Sequence, residues 1–381
     1  MGKMDNLEFV DLREELEKNH IAWDSPACCS SKESSYSLLR AQMQGTFQFS
    51  REGVWIKDFE HDKKCLSLLH LAKQKSCDLV LFPEYCISDQ VLWDIVSDEA
   101  LWPENRKLWV LPCQGMTKDQ FQAFIENLSK NNRVFLLDTA CTSRRVTFNH
   151  FVTVLFYCFL GYQGDASILC LVPQLKTQPM GDQDCLCEQA GMATGSVVFT
   201  LEQRLLTLLC ADSMNNELTW QRLQEEGLLM SGLTILHPQL NGHPKDQVFS
   251  RLRWELFERG TPGVYITCNW AAGTTLSSPE CQEAAKTIDL SWSCLYRKHA
   301  DDIFEKWERN YSLRRNNEAH GLFGTIMKPK RTEVWFSLSH EEALELRIPN
   351  LDFNGYGKLS VPDIHAQAHL CYDQGTRNWV E

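Results

Sequence analysis

Residues 77–84 read CDLVLFPE, with four apolar side chains in a row (Leu79 to Phe82) bounded by Asp78 and Pro83. A strand wet on one face alternates apolar with polar, so a short unbroken run predicts a strand buried on both faces. Just before it, His61 to Gln74 carries Leu66, Leu68, Leu69, Leu71 and Ala72, the stripe of a helix with one apolar face. Just after it come KLWVLP (107–112) as a strand, DQFQAFIENLSKN (119–131) as a helix and RVFLLDTA (133–140) as a strand. Strands alternating with helices predict α/β layers, with helices outside a central sheet.

The same grammar continues outward. SLLRAQMQGTFQFS, from Ser37, has strand-like alternation and opens the core; FVTVLFYCFLGYQGDASILCLVP (151–173) reads as a hairpin turning at Gly161–Asp165. SVVFTLEQRLLTLLCAD (196–212) holds a strand pair, Leu218 to Leu229 a helix, and LTILHP (233–238) a strand. RLRWELFERG (251–260) reads as a helix and GVYITCNWAAG (263–273) as a strand, and HGLFGTIMKP and EVWFSLS return to strand pattern. Residues 1–38 read as peripheral, with a helix over Asp11 to Asn19 and a polar loop at CCSSKESS. The predicted division is an N-terminal extension (1–36), one α/β domain (37–350) with a helical insertion at about 274–316 capped by Ser278, and a C-terminal tail (351–381).

The 381 residues are 43% hydrophobic and 23% charged, which suits a globular chain with a sizeable core and excludes a disordered one. A net charge of −12 repels phosphate backbones and argues against nucleic acid as a general partner. The short basic run at Lys328, Lys330 and Arg331 reads as a solvated loop. Phe151 to Tyr162 is the longest apolar stretch and is too short to span a bilayer. The sixteen cysteines are scattered and the charged N-terminus has no apolar signal region, so reduced thiols in a cytoplasmic, soluble protein are expected.

Three segments place an ionisable residue just beyond a buried-strand pattern: LVLFPE with Glu84, LVPQLK with Lys176 and LLTLLCAD with Cys210. Strand ends in α/β sheets present side chains rigidly to a crevice. A thiol attacks as its thiolate, and a carboxylate within hydrogen-bond reach can take the proton and later handle water. A lysine beside them favours the charged pair and the oxyanion of a tetrahedral intermediate, and the N–H of Ala211 offers a second oxyanion donor.

The ordered series resembles the nitrilase-like carbon–nitrogen hydrolases. AQMQ (41–44) looks like the family's first core strand, DLVLFPE (78–84) its glutamate motif, LKTQP (175–179) its lysine motif and CADSMNNE (210–217) its nucleophile motif; Asn149 also has a counterpart. GLTILHP (232–238), RLRWELFERG and YITCNWAAG (265–273) fit the elements that follow. The resemblance covers roughly residues 37–273 and the strands near 320–347. It implies a four-layer α-β-β-α sandwich, a Glu84–Lys176–Cys210 triad, thioester chemistry on a small amide or, less often, a nitrile, homodimers or higher homo-oligomers, and no cofactor or metal. The sequence departs from the family in four places, one of them an interval from Glu84 to Lys176 that is longer than usual and implies an insertion between them. Asp184 or Glu188 must stand in for a second glutamate often found after the lysine, or the position is lost; Asn216 replaces a proline before Glu217, and Ala211 replaces an aromatic residue after the nucleophile. A second reading keeps the fold but makes it a binding or sensing module, using aromatic residues such as Trp292, Tyr296, Trp307 and Tyr311 as a surface.

Blander roles stand beside these. Asp212 is expected to tie down the turn after Cys210 through backbone N–H groups, and Glu217 to do the same or cap a helix; neither joins the triad. His150, His237 and His243 lie near strand ends, where any of them could line the pocket, although a satisfied structural histidine is the commoner case. DFNGYGKLSVPD (352–363) partly matches a calcium loop, but Tyr356, Asp363 and the flanking prolines favour a plain turn. Cys185 and Cys187, with Cys28 and Cys29, lack the spacing of a zinc site.

Overall fold

The structure, a computed structural model, describes residues 7–30, 32–50, 52–137, 151–178, 197–229, 232–243, 247–259, 261, 263–278, 285–289, 292–298, 322–327, 332–337, 340–350 and 364–381. Among them it is a mixed α/β protein with several sheets. The first sheet runs, edge to edge, through Asn378–Val380, His365–Asp373, Glu342–Pro349, Ser35–Gln42, Leu79–Leu81, Leu108–Pro112, Val154–Gln163, Ala166–Leu175 and Val134–Leu136. The second runs through Glu8–Asp11, Val197–Leu201, Leu205–Thr207, Leu233–Pro238, Gly263–Cys268, Cys294–Lys298, Thr332–Ser337 and Leu322–Met327. A smaller third sheet includes Thr46–Ser50, Gly53–Ile56, Gly115–Thr117 and Thr275–Ser277.

The decisive run behaves as its composition requires. Successive side chains of a strand point to opposite faces, and both faces of Leu79–Leu81 are covered. Leu79 and Leu81, with Leu38, Tyr157, Leu344 and Leu346, enter a core shared with Leu205, Leu236, Ile266 and Trp335 of the second sheet. Val80, with Leu39, Trp109 and Phe156, faces the other way onto helices His61–Gln74, Asp89–Ser97 and Lys118–Leu128. The second sheet repeats the pattern: Leu206, Ile235 and Tyr265 pack outward with Leu223 of helix Trp220–Glu225 and with Leu252 and Leu256 of helix Gln247–Glu258. No helix among the described residues is long and apolar enough to cross a membrane.

Several expectations change in detail. SLLRAQMQGTFQFS is two strands in two sheets, parted at Met43–Gly45, where a Cβ on Gly45 would lie 3.1 Å from Trp270 Cζ3. Residues 7–30, read as peripheral, are built into the body. Leu12 and Leu16 of helix Leu12–Lys18 are buried with Ile21 and Cys29, and Glu8–Asp11 pairs in parallel with Val197–Leu201. The regular elements among the described residues of the expected helical insertion are strands (Thr275–Ser277, Lys286–Thr287, Cys294–Lys298) and not helices, and Cys294–Lys298 fills the place between Gly263–Cys268 and Thr332–Ser337. Ser278 therefore follows a strand, and Trp307 and Tyr311 lie outside the described residues. The tail's described part supplies two strands to the edge of the first sheet, where Trp379 Nε1 donates to the Lys64 carbonyl at 3.0 Å. The calcium-like stretch 352–363 and the basic run 328–331 also lie outside the described residues.

Candidate active site

Each of the three expected residues stands at a strand end. Glu84 lies in the turn after Leu79–Leu81, Lys176 directly follows Ala166–Leu175, and Cys210 opens the 3₁₀ turn Cys210–Met214 after Leu205–Thr207. Two of these strands belong to the first sheet and one to the second, so the residues meet where the sheets face each other. Lys176 Nζ is 3.0 Å from Glu84 Oε1, with side-chain exposures of 6% and 2%. The Cys210 thiol, fully buried, hydrogen-bonds with the Glu84 side chain and is approached by the backbone N–H of Leu240. Burial, then the Glu84 charge, pushes this thiol up; the Lys176 ammonium and the Leu240 N–H pull it back.

The backbone around these groups is held by named contacts. Tyr85 has φ +60°, a left-handed conformation uncommon for a non-glycine residue, which turns the chain sharply after Pro83. Its hydroxyl is 3.1 Å from Thr153 Oγ1, and Lys176 Nζ stands 5.8 Å over its ring. Trp270, from beyond strand Gly263–Cys268, donates its indole N–H to the Glu84 carbonyl at 2.7 Å. The N–H of Lys176 donates to the Thr153 carbonyl at 2.9 Å, fixing the lysine's place at the end of its strand.

Asp212 plays the tying role expected of it. Its Oδ1 accepts from the Thr177 N–H (2.7 Å), the Thr177 hydroxyl (3.0 Å) and the Gln178 N–H (2.9 Å), and its Oδ2 from the Leu209 N–H (2.9 Å). One buried carboxylate thus joins the segment after Lys176 to the turn that presents Cys210. Burial pushes its carboxyl up to about 6, against these hydrogen bonds and the Lys176 charge. Glu217 lies apart from the triad and accepts from the Leu7 N–H at 2.6 Å, anchoring the N-terminal segment. Ala211 is buried within the nucleophile turn. Asp184, Glu188, Asn149, His150, Cys185 and Cys187 lie outside the described residues.

Cys210 itself has φ +40°, a strained left-handed conformation. His237 supports it from below: Nε2 lies 2.8 Å from the Cys210 carbonyl, and Nδ1 lies 2.7 Å from the Tyr265 hydroxyl and 2.9 Å from Gln239 Nε2. This network assigns the neutral tautomer whose Nε2–H donates to Cys210 and whose Nδ1 accepts from Tyr265. Burial lowers the imidazole to about 4, with Arg253 acting in the same direction against the hydrogen bond to Cys210. His237 is therefore a structural histidine placed against the Cys210 carbonyl. The backbone N–H of His243 donates to Asn241 Oδ1 at 2.7 Å.

Sequence reasoning did not single out Trp270, nor a group that backs the Glu84 turn, formed by His61, Cys65 and Cys86. Burial would lower the His61 imidazole, but the adjacent Cys65 raises it to about 9. Burial would raise the Cys65 thiol, but its hydrogen bond with Cys86 and the His61 charge bring it down to about 6. The available signals were the i, i+4 spacing of His61 and Cys65 on one helix and the position of Cys86 two residues after Glu84. No family model and no curated protein matches this chain.

Proposed function

We propose that the chain is a carbon–nitrogen hydrolase that cleaves a small amide, or less readily a nitrile, through a cysteine thioester. The observation that carries this reading is the buried Glu84–Lys176 ion pair at 3.0 Å with the Cys210 thiol hydrogen-bonded to the same carboxylate. Glu84 takes the thiol proton, and the Cys210 sulfur attacks the carbonyl carbon. Lys176, with the N–H of Ala211, stabilises the oxyanion. The intermediate collapses as Glu84 returns the proton to the departing amine or ammonia, leaving a thioester on Cys210. Water, deprotonated by the same carboxylate, then releases the acid and the thiol. Asp212 and His237 position the nucleophile turn and do not touch the reacting atoms. Asp184 or Glu188 remains the proposed stand-in for the family's second glutamate, unless the position is lost.

Two face-to-face sheets with helices on both outer faces support the four-layer α-β-β-α reading and the kinship with nitrilase-like hydrolases. Pairing of two subunits and a cytoplasmic location belong to the same proposal. The complete burial of Cys210 is the observation that favours a second reading, a nitrilase-like fold kept as a binding or sensing module.

Intact-mass spectrometry after exposure to iodoacetamide and to a panel of small amides and nitriles separates the two. The hydrolase reading expects an adduct on Cys210 ahead of the other fifteen cysteines, turnover of at least one compound, and loss of both in Cys210→Ala with the fold retained. Residual turnover near wild type in Cys210→Ala sinks the assignment. Labelling of Cys210 no faster than the rest, together with a stable hetero-complex and no turnover, favours the binding module.

A further inference from the structure

Behind the Glu84 turn, three metal-ligating side chains converge that the hydrolase reading does not use. His61 opens helix His61–Gln74, Cys65 stands one turn on along the same helix face, and Cys86 follows Glu84 by two residues. His61 Nε2 lies 3.4 Å from Cys65 Sγ and 3.7 Å from Cys86 Sγ, and the two sulfurs are 3.8 Å apart. All three residues are buried. Tetrahedral zinc, with Zn–S of about 2.3 Å and Zn–N of about 2.0–2.1 Å, sets its sulfurs about 3.8 Å apart and its nitrogen about 3.6 Å from each sulfur. The measured triangle has those dimensions. The point equidistant from its three corners lies about 2.1 Å from each, the length of a coordination bond.

The surroundings fit a closed structural centre. The Trp270 ring stacks on His61 with centroids 5.7 Å apart and an interplanar angle of 29°. The Cys86 carbonyl oxygen lies at the rim of the triangle, 2.6 Å from His61 Nε2 and 3.8 Å from Cys65 Sγ, an oxygen donor within reach of a fourth position. Two sulfurs and one imidazole nitrogen are a soft to borderline donor set that suits zinc or copper(I) and not calcium or magnesium.

We propose that His61, Cys65 and Cys86 bind one thiophilic d¹⁰ cation, zinc before copper(I). When zinc binds, Cys86 gives up its thiol proton and His61 the Nε2 proton that it donates to the Cys86 carbonyl, Cys65 enters as the thiolate of its pair with the His61 imidazolium, and two Zn–S bonds and one Zn–N bond form. Two protons leave and no electron is transferred. The ion staples the first turn of helix His61–Gln74 to the turn that carries Glu84, fixing the carboxylate's backbone. The proposal stands whether or not Cys210 is a nucleophile.

The test uses the full chain. Elemental analysis of wild type purified from zinc-supplemented cells is expected to find close to one zinc per chain, retained through dialysis, and a parallel copper-supplemented preparation separates the two metals. X-ray absorption at the zinc edge is expected to read two sulfurs and one imidazole nitrogen. Exchange into Co²⁺ should give thiolate-to-cobalt charge-transfer bands, lost in Cys65→Ser/Cys86→Ser while the far-ultraviolet dichroism is unchanged. If that double variant does not fold, the wild-type absorption spectrum decides alone. Absence of bound metal, a shell of oxygens only, cobalt bands that persist in the double variant, or a Cys65–Cys86 disulfide in the native intact mass would each overturn the proposal.

Discussion

Replacing His237 with Phe keeps a ring in place, and with it the edge-on packing against Tyr265 (centroids 5.5 Å apart, 80°), but removes both ring nitrogens. The Tyr265 hydroxyl then loses its acceptor, at an expected cost of about 1–3 kcal/mol for a buried unmet group. The Cys210 carbonyl loses its best donor but keeps the Ser213 hydroxyl at 3.2 Å, so its share falls at the low end of the same range. Together these predict a loss of about 2–4 kcal/mol at pH 7. The pH dependence sharpens the test. His237 is depressed to about 4 in the folded protein against the ordinary 6.5. Between those values the unfolded chain binds the proton and the folded one does not, so wild-type stability falls as pH drops through that window. By pH 4.5 the accumulated loss is on the order of 2–3 kcal/mol, and His237→Phe has no such loss. The gap between the proteins in urea unfolding should therefore be widest at neutral pH and nearly close by pH 4.5. A gap that stays constant across pH, or one below about 0.5 kcal/mol at pH 7, would refute the picture of a neutral imidazole holding the nucleophile turn.

Lys176→Met leaves Glu84 buried without its countercharge and should lower unfolding stability by about 3–5 kcal/mol; adding Glu84→Gln should recover most of that loss without restoring turnover. A melting curve of Lys176→Met that overlays wild type contradicts this. Asp212→Asn sets an amide N–H against the donors of either Leu209 or Thr177 and Gln178, at about 1–3 kcal/mol, and should slow iodoacetamide labelling of Cys210 in a folded protein. Unchanged labelling and melting would show that the tie is dispensable. Gly161→Ala brings a Cβ to 2.5 Å from Cys170 Sγ and 3.0 Å from Ile21 Cγ2, an overpacking worth about 1–3 kcal/mol, visible as a lower urea midpoint.

Much of the fold was legible because its strands are buried on both faces. Leu79–Leu81 and Leu108–Pro112 announce themselves as unbroken apolar runs, and helix His61–Gln74 by its stripe. The residues at the ends of such strands were legible with them, which is why Glu84, Lys176 and Cys210 could be selected before any contact was known. What failed was weakly patterned or long-range. Leu12 and Leu16 are two buried positions amid charges, too few to distinguish a docked helix from a loose one. The departure of Thr46–Ser50 to another sheet depends on Trp270, more than two hundred residues away in the chain. The support of Cys210 by His237 and Tyr265, and the meeting of His61 and Cys65 with Cys86, arise from packing between elements and leave no local period to read.

The place of Ser35–Gln42 carries a consequence for synthesis. This strand is flanked by Leu79–Leu81 on one side and by Glu342–Pro349 on the other, with Ser35 opposite Pro349 and Gln42 opposite Glu342. A ribosome adding about 5–20 residues per second needs about 15–60 s to reach the second neighbour after releasing the first strand. Through that interval the N-terminal half presents an open row of backbone donors and acceptors beside Leu38 and Leu39, the kind of edge that recruits other chains. The nascent protein is therefore expected to depend on holding factors until Glu342–Pro349 emerges, and truncation before residue 342 should yield aggregates and not a smaller folded unit.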